Sequence, residues 1–226
     1  MELSHLNCKG ISIAYDPEAI SDQLVQHINA GTYEREEAML IGNIVQPGER
    51  ILEVGGGLGY LSTLAMNTGK VEALISYEAN PKLIPIIRQT WKLNGHDGVC
   101  SNSVITNTSS GQKTDFYLRR DFWASSLSPE PYGYEEVVQV ETTNFQELLD
   151  SFKPTMIICD IEGGEGQLFE GVYLQGVKKV FMEVHQNVLG RWGVKKLFER
   201  FSHQDFHYDV WHSIGQVVLF SHVNRL

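Results

Sequence analysis

From residue 50 onward, short apolar runs alternate with helical patterns, and no other feature of the chain restricts its fold as strongly. Residues 50–54, 73–77, 99–105, 155–160 and 179–185 read as strands, and 61–67, 81–93, 144–152 and 194–202 as helices, with a short helix inside 166–176. Asn80 and Pro81 mark one helix start, and Asn144 with Glu147 three residues on resembles a capping box for another. Strands that alternate with helices need right-handed crossovers, so an α/β fold follows, with a mainly parallel sheet and helices on both faces. Residues 207–212 and 216–222 alternate in polarity and lie close enough together to close the sheet as an antiparallel pair.

Ahead of this pattern the chain reads as a strand near 10–15, a helix opened by Asp16-Pro17 and stopped by Gly31, and a second helix over 33–45 ended by Pro47-Gly48. The stretch 114–134 has no helical period and is expected to be a hairpin and loop; 137–142 alternates as a half-exposed strand. With 226 residues, 42% of them hydrophobic, the chain suits one domain, with 1–47 as an N-terminal helical extension or cap.

The formal charge of −10 argues against a nucleic-acid partner, which would call for surplus Lys and Arg. Three widely spaced cysteines, Cys8, Cys100 and Cys159, support neither a disulfide framework nor a zinc knuckle. The first residues lack a basic start followed by an apolar run, and no stretch of about 18 uncharged apolar residues occurs. A soluble cytoplasmic protein without a membrane partner is expected. A homo-oligomer is compatible with the sequence.

At the end of the first core strand stands ILEVGGGLGY, residues 51–60. A glycine turn there lets backbone approach a cofactor closely. Gly55, Gly57 and Gly59 give G-x-G-x-G, whereas a dinucleotide fingerprint would need a glycine where Tyr60 stands. Glu53 would repel a pyrophosphate and could organise a loop that receives an ammonium group. The spacing resembles motif I of the class I S-adenosylmethionine-dependent methyltransferases. Glu78, at the end of the second strand with Ala79 and Asn80, is placed to accept ribose hydroxyls. Asn102 and Ser103 are placed to meet an adenine edge, or serve as ordinary strand-end turn formers.

Several separated stretches together resemble the FkbM family of methyltransferases: Tyr33-Glu34, EVGGGLGY, YEANP, Leu93-Asn94-Gly95, Ser125-Ser126-Leu127, Val138-Gln139-Val140, Asp160-Ile161-Glu162-Gly163-Gly164-Glu165 and Glu183-Val184-His185. The resemblance runs from about residue 30 to 187. It implies a Rossmann-like class I methyltransferase fold of seven strands with an antiparallel last strand. It also implies methyl transfer from S-adenosyl-L-methionine, most often to a hydroxyl of a sugar, glycan or natural product. Glu53 and Gly56-Gly57 depart from the family's usual Asp and Ala-Asn, and Gly164-Glu165 from its usual Ala-Glu, which leaves the acceptor open.

Methylation of a hydroxyl requires aligned reactants and a proton acceptor. Asp160 with Glu162 and Glu183 with His185 are each two residues apart, so extended backbone would project each pair to one side of a strand end. These four are the candidate catalytic residues, His185 suiting a base because its ordinary pKa is near neutrality. Mg2+ held by the acidic strand ends and His185 is allowed but not demanded by any spacing. Tyr33 and Glu34 are expected to cover the methionine end of the cofactor. Trp123 to Leu127, with Tyr132 and Tyr134, form an acceptor wall or a loop stapled by its aromatics. Arg119-Arg120 and Lys195-Lys196 read as solvated charges, and Trp192 and Trp211 as packing residues. N-methyl transfer to an amine or peptide, a nicotinamide-dependent oxidoreductase and a silent cofactor-binding module are the competing readings.

Overall fold

Ile51, Leu52 and Val54 are all buried, as a strand covered on both faces requires. A computed structural model describes residues 3–17, 20–130 and 133–224. It opens with a hairpin of β1 (Ser4–Cys8) and β2 (Ile11–Tyr15), then α1 (Asp22–Ala30) and α2 (Arg35–Ile44). The alternating region supplies β3 (Glu49–Val54), α3 (Tyr60–Asn67), β4 (Val71–Glu78), α4 (Ile84–Leu93) and β5 (Val99–Asn102). An insertion follows: β6 (Val104–Thr106), β7 (Lys113–Leu118) and β8 (Glu136–Asn144) form a separate three-stranded sheet. The chain ends with α5 (Phe145–Phe152), β9 (Met156–Cys159), α6 (Glu165–Leu168), β10 (Lys179–Glu183), α7 (Gln186–Ser202), β11 (Phe206–Tyr208) and β12 (Val217–His222).

The main sheet has seven strands in the order β11-β12-β10-β9-β3-β4-β5. The pairings among β10, β9, β3, β4 and β5 are parallel, and β12 is antiparallel to both β10 and β11. The expected α/β class and antiparallel last strand are both present. Chain order reverses on either side of β3, which has β4 on one flank and β9 on the other. Ligands of such sheets bind outside the carboxyl ends of the strands at this switch point.

Alternate residues feed two cores. Ile51, Met156, Ile158 and Phe181 join one with Ile13, Ile28 and Ile41 of the N-terminal segment and Trp91 of α4. Leu52, Val54, Ile157 and Met182 join the other with Phe145 of α5 and Phe201 of α7. The described residues ahead of β3 therefore cover one sheet face with a hairpin and two helices, and the strand expected near 10–15 pairs with Ser4–Cys8, which the sequence had not marked. All three cysteines are free and buried. No helix among the described residues is long and apolar enough to cross a membrane.

Several expected boundaries shift for local reasons. α1 starts at Asp22 because Ser21 caps it, accepting from Leu24 N at 3.4 Å. Asn80 Oδ1 accepts from Lys82 N at 3.0 Å, holding a turn that delays α4 to Ile84. The expected strand over 99–105 divides into β5 and β6, which belong to different sheets. α7 begins well before residue 194, but Gly190 at φ 64° interrupts it. β11 stops at Tyr208 because Asp209 accepts from the backbone N–H of Trp211 and His212 and turns the chain.

Candidate active site

β3 delivers the chain to Gly55, whose N–H donates to Tyr77 O at 2.9 Å. Gly55 has φ +87°, and a Cβ built there would lie 1.8 Å from the carbonyl oxygen of Asp160. Only glycine allows the turn after β3 to lie against the end of β9 in this way. At Gly57, φ +52°, the nearest atoms to a Cβ are Tyr33 Oη at 3.5 Å, Glu34 Oε1 at 3.9 Å and Phe122 Cε2 at 3.9 Å. The absent side chain leaves a gap between the turn and these three residues. Gly59 precedes α3 and packs on Ile87.

Glu78 joins this turn to the end of β4. Its Oε2 accepts from Gly57 N at 3.1 Å and its Oε1 from Asn80 N at 2.7 Å. Burial raises the Glu78 pKa, while these backbone N–H groups pull it down; the net direction is upward. Ala79 O, with Glu78 O, accepts from Asn102 Nδ2 at 2.9 Å, so Asn102 ties two strand ends together. The Ser103 hydroxyl donates to Glu141 O at 2.8 Å and contacts Thr143 Oγ1, which engages it with the small sheet. Glu53 is 1% exposed and lies under Gly56, so it supports the loop from below and does not line it. Burial pushes its pKa up to about 7, against the lowering effect of the Ser76 and Ser62 hydroxyls.

Tyr33 and Glu34 stand beside Gly57 of the glycine turn. Tyr33 packs against Tyr60 with ring centroids 5.6 Å apart, and Glu34 holds φ 43° at the start of α2. Burial raises both pKa values. From the insertion it is Phe122 that reaches Gly57. Trp123 meets Phe122 edge-on, and both pack on the core. Tyr134 is largely exposed against Tyr117, and Tyr132 lies outside the described residues.

Beside the turn, four carboxylates surround one imidazole. His185 Nδ1 donates to Glu165 Oε1 at 2.6 Å, while Nε2 stands 3.3 Å from Glu162 Oε2, 3.8 Å from Glu183 Oε2 and 3.9 Å from Asp160 Oδ1. All four expected residues do converge, but the strand pleat is not the cause for the first pair. β9 ends at Cys159, and Glu162 returns through a turn in which it adopts φ 52°. Gln216 Nε2 donates to Glu183 Oε1 at 3.1 Å and fixes its other oxygen. A water-sized cavity of about 10 Å³ lies between Asp160, Glu183 and Glu37.

The crowding sets the proton affinities. Burial opposes a charge on His185, but the Glu165 hydrogen bond and the carboxylates of Asp160 and Glu162 outweigh it and push its pKa up to about 9. That corrects the expectation of a histidine titrating near neutrality. Burial, with Glu183 and Glu162, holds the Asp160 carboxyl well above the usual range. Burial also raises Glu162 and Glu37, each to about 7. One ligand atom each from Asp160, Glu183 and His185 lies within 4.8 Å of the others, a spacing that a cation could bridge.

Three further corrections concern side chains read as inert. Arg119 is not solvated: it is 9% exposed, and its guanidinium donates to Ala124 O, Ser126 Oγ and Ser128 O, bracing the loop that follows Phe122. Trp192 and Trp211 do not pack, being 74% and 85% exposed. The former is overlaid by Lys195 and the latter sits in the turn held by Asp209. Sequence reasoning also gave no role to Glu165, Phe122 or Glu37. Glu165 alone had a visible signal, as the third acid of the DIEGGE stretch.

The sequence model of the Methyltransferase FkbM domain matches residues 53–222, from the acid before the glycine turn to the last strand. The chain belongs to the FkbM methyltransferase family. No curated protein sequence matches it. Among solved structures, it is similar to Pyrococcus abyssi tRNA (uracil-54, C5)-methyltransferase in complex with S-adenosyl-L-homocysteine: TM-score 0.54, 12% identity, covering 98% of this chain and 44% of that one. A ribosomal protein L11 methylase from Lactobacillus delbrueckii subsp. bulgaricus aligns at TM-score 0.49 and 12% identity over 84% of this chain and 78% of that one. The first likeness shows the fold alone.

As an FkbM methyltransferase the protein uses S-adenosylmethionine, and its residues suit that cofactor. The gap at Gly57 admits a group that a side chain would exclude. Glu78 keeps acceptor capacity beyond its two backbone bonds for ribose hydroxyls. Asp160 Oδ1 is buried without a hydrogen-bond partner beside the turn, as a site for an ammonium group would be.

Proposed function

We propose that this FkbM methyltransferase methylates a hydroxyl oxygen of a sugar, glycan or natural-product acceptor. The supporting observation is the cluster of Asp160, Glu162 and Glu183 about His185 Nε2, at 3.9, 3.3 and 3.8 Å, next to the glycine turn. S-adenosylmethionine supplies an electrophilic methyl group when bound. The chain's own residues then have to orient the acceptor and take its proton. Glu162, with a pKa of about 7, can receive that proton near neutral pH. His185, at about 9, stays protonated and holds the carboxylates in place by charge. Glu183 is left to accept hydrogen bonds from the acceptor's hydroxyls, while Asp160, beside the turn, serves the cofactor's ammonium group. Tyr33, Glu34, Gly55, Gly57, Gly59, Glu78, Ala79 and Asn80 form the cofactor side.

The test is transfer of labelled methyl into sugar, glycan and natural-product fractions, with the product located by mass spectrometry. Label on oxygen in the wild type, lost in Gly57→Asp and reduced in Glu162→Gln, is the expected result. Label on nitrogen would replace the hydroxyl reading with amine methylation. A parallel arm with a chelator should leave transfer intact, because His185 already supplies a positive charge to the carboxylates.

A further inference from the structure

Glu165 is completely buried, an unusual place for a carboxylate that has no Lys or Arg bonded to it. Its Oε1 accepts from His185 Nδ1 at 2.6 Å and from Gly163 N at 3.1 Å, while Oε2 has no hydrogen-bond partner. A carboxylate can only accept, so the short contact places the proton on Nδ1. The ring itself is 6% exposed, and only its Nε2 edge turns toward Asp160, Glu162 and Glu183.

Both partners are held by backbone devices. Glu165 opens α6 two residues after Gly163, whose φ of +95° places its N–H on the same carboxylate oxygen. A Cβ on Gly163 would fall 2.4 Å from Val188 of α7, so the acidic loop and the helix that follows His185 are packed without spare room. His185 is the cap residue of that helix. The contact thus spans two strand ends, joining the loop after β9 to the start of α7.

We propose that Glu165 is a positioning residue: its buried carboxylate fixes the His185 ring so that Nδ1 is committed inward and Nε2 faces the acceptor-side carboxylates. This rests on the reading of that cluster as the acceptor site. Glu165 touches neither acceptor nor cofactor; it acts through His185. Fixing the ring by a buried acid preorganises the site, since the imidazole cannot rotate to present Nδ1.

Imidazole-proton NMR of histidine-labelled protein loaded with S-adenosylhomocysteine tests this without any acceptor. The chain has eight histidines, so His185→Asn assigns the resonance. A strongly downfield Nδ1–H signal is expected in the wild type, absent in Glu165→Gln, with S-adenosylhomocysteine affinity unchanged. Should Glu165→Gln fail to fold, Glu165→Asp keeps the charge but withdraws the oxygen, and the signal should shift upfield. A signal that persists unchanged in the folded variant overturns the proposal. With a labelled acceptor in hand, Glu165→Gln should slow turnover about 100-fold and slow it no further in a His185→Asn background. Additive losses would show that Glu165 acts elsewhere and overturn the proposal as well. If no hydroxyl acceptor is ever labelled, the acceptor reading fails while the resonance still decides the role of Glu165.

Discussion

Glu78 Oε2 accepts the backbone N–H of Gly57 at 3.1 Å, so the acid that ends β4 and the turn that follows β3 form one hydrogen-bonded unit. The same carboxylate accepts Asn80 N in a bond that is buried from water. Loss of this acid should therefore disturb the shape of the turn as well as remove acceptors for a ribose. Glu78→Ala is expected to weaken S-adenosylhomocysteine binding about 10- to 100-fold, equivalent to about 1.4–2.8 kcal/mol. Calorimetric titration measures it, and wild-type affinity would rule Glu78 out as a cofactor contact.

Gly55 is the least replaceable glycine of the turn. A methyl group there would need Asp160 O to retreat from 1.8 Å, and the residue would also have to hold φ +87°. Both demands act on backbone, where no side chain can swing aside. Gly55→Ala should cost about 3–5 kcal/mol, lowering the unfolding temperature by about 10 °C. Gly111, equally positive in φ at +76° but with nothing near its Cβ position, should tolerate alanine far better. Thermal unfolding of the two variants side by side checks this, and equal losses would contradict it.

The sheet was legible in the sequence because a strand buried on both faces needs an apolar centre, and Ile51-Leu52, Met156-Ile157-Ile158-Cys159 and Val180-Phe181-Met182 supply one in their segments. The glycine register and Glu78 were legible because backbone spacing fixes them. Side chains on loops were not. Phe122 and Trp123 are adjacent and chemically alike, and only the 3-10 turn at Phe122–Ala124 decides which one meets Gly57. Arg119 looked solvated because Ala124 O, Ser126 Oγ and Ser128 O, which accept from it, lie in a loop whose path depends on the small sheet. His185 seemed a near-neutral base because its fourth neighbour, Glu165, arrives only when α6 turns back on α7.

Trp192 and Trp211 supply a stability test of their own. Each exposes most of its surface, whereas Trp91 is 1% exposed and its indole N–H donates to Ser62 Oγ at 3.0 Å. Alanine at 192 or 211 should change the unfolding free energy by less than about 0.5 kcal/mol, and alanine at 91 should cost about 3–5 kcal/mol. Urea unfolding of the three variants is the measurement. A large loss at 211 would mean that the loop between β11 and β12 is packed in solution.

Glu53 gives a pH dependence whose sign can be worked out. Its ordinary pKa is 4.5 and burial under the glycine turn raises it to about 7, with Oε2 left without a hydrogen-bond partner. Between these two values the folded chain binds a proton that the unfolded chain has already lost. Unfolding therefore releases a proton, and stability falls as pH rises through this window. The whole shift corresponds to at most about 3 kcal/mol, absent below the lower pKa and fully expressed above the upper one. Glu53→Gln carries no such proton, while the other titrating acids are common to both proteins. The difference in unfolding free energy between variant and wild type should thus move in favour of the variant by up to about 3 kcal/mol between about pH 4 and pH 8. Urea denaturation across that range measures it; a difference that stays constant with pH would show that Glu53 is not held neutral beneath the turn.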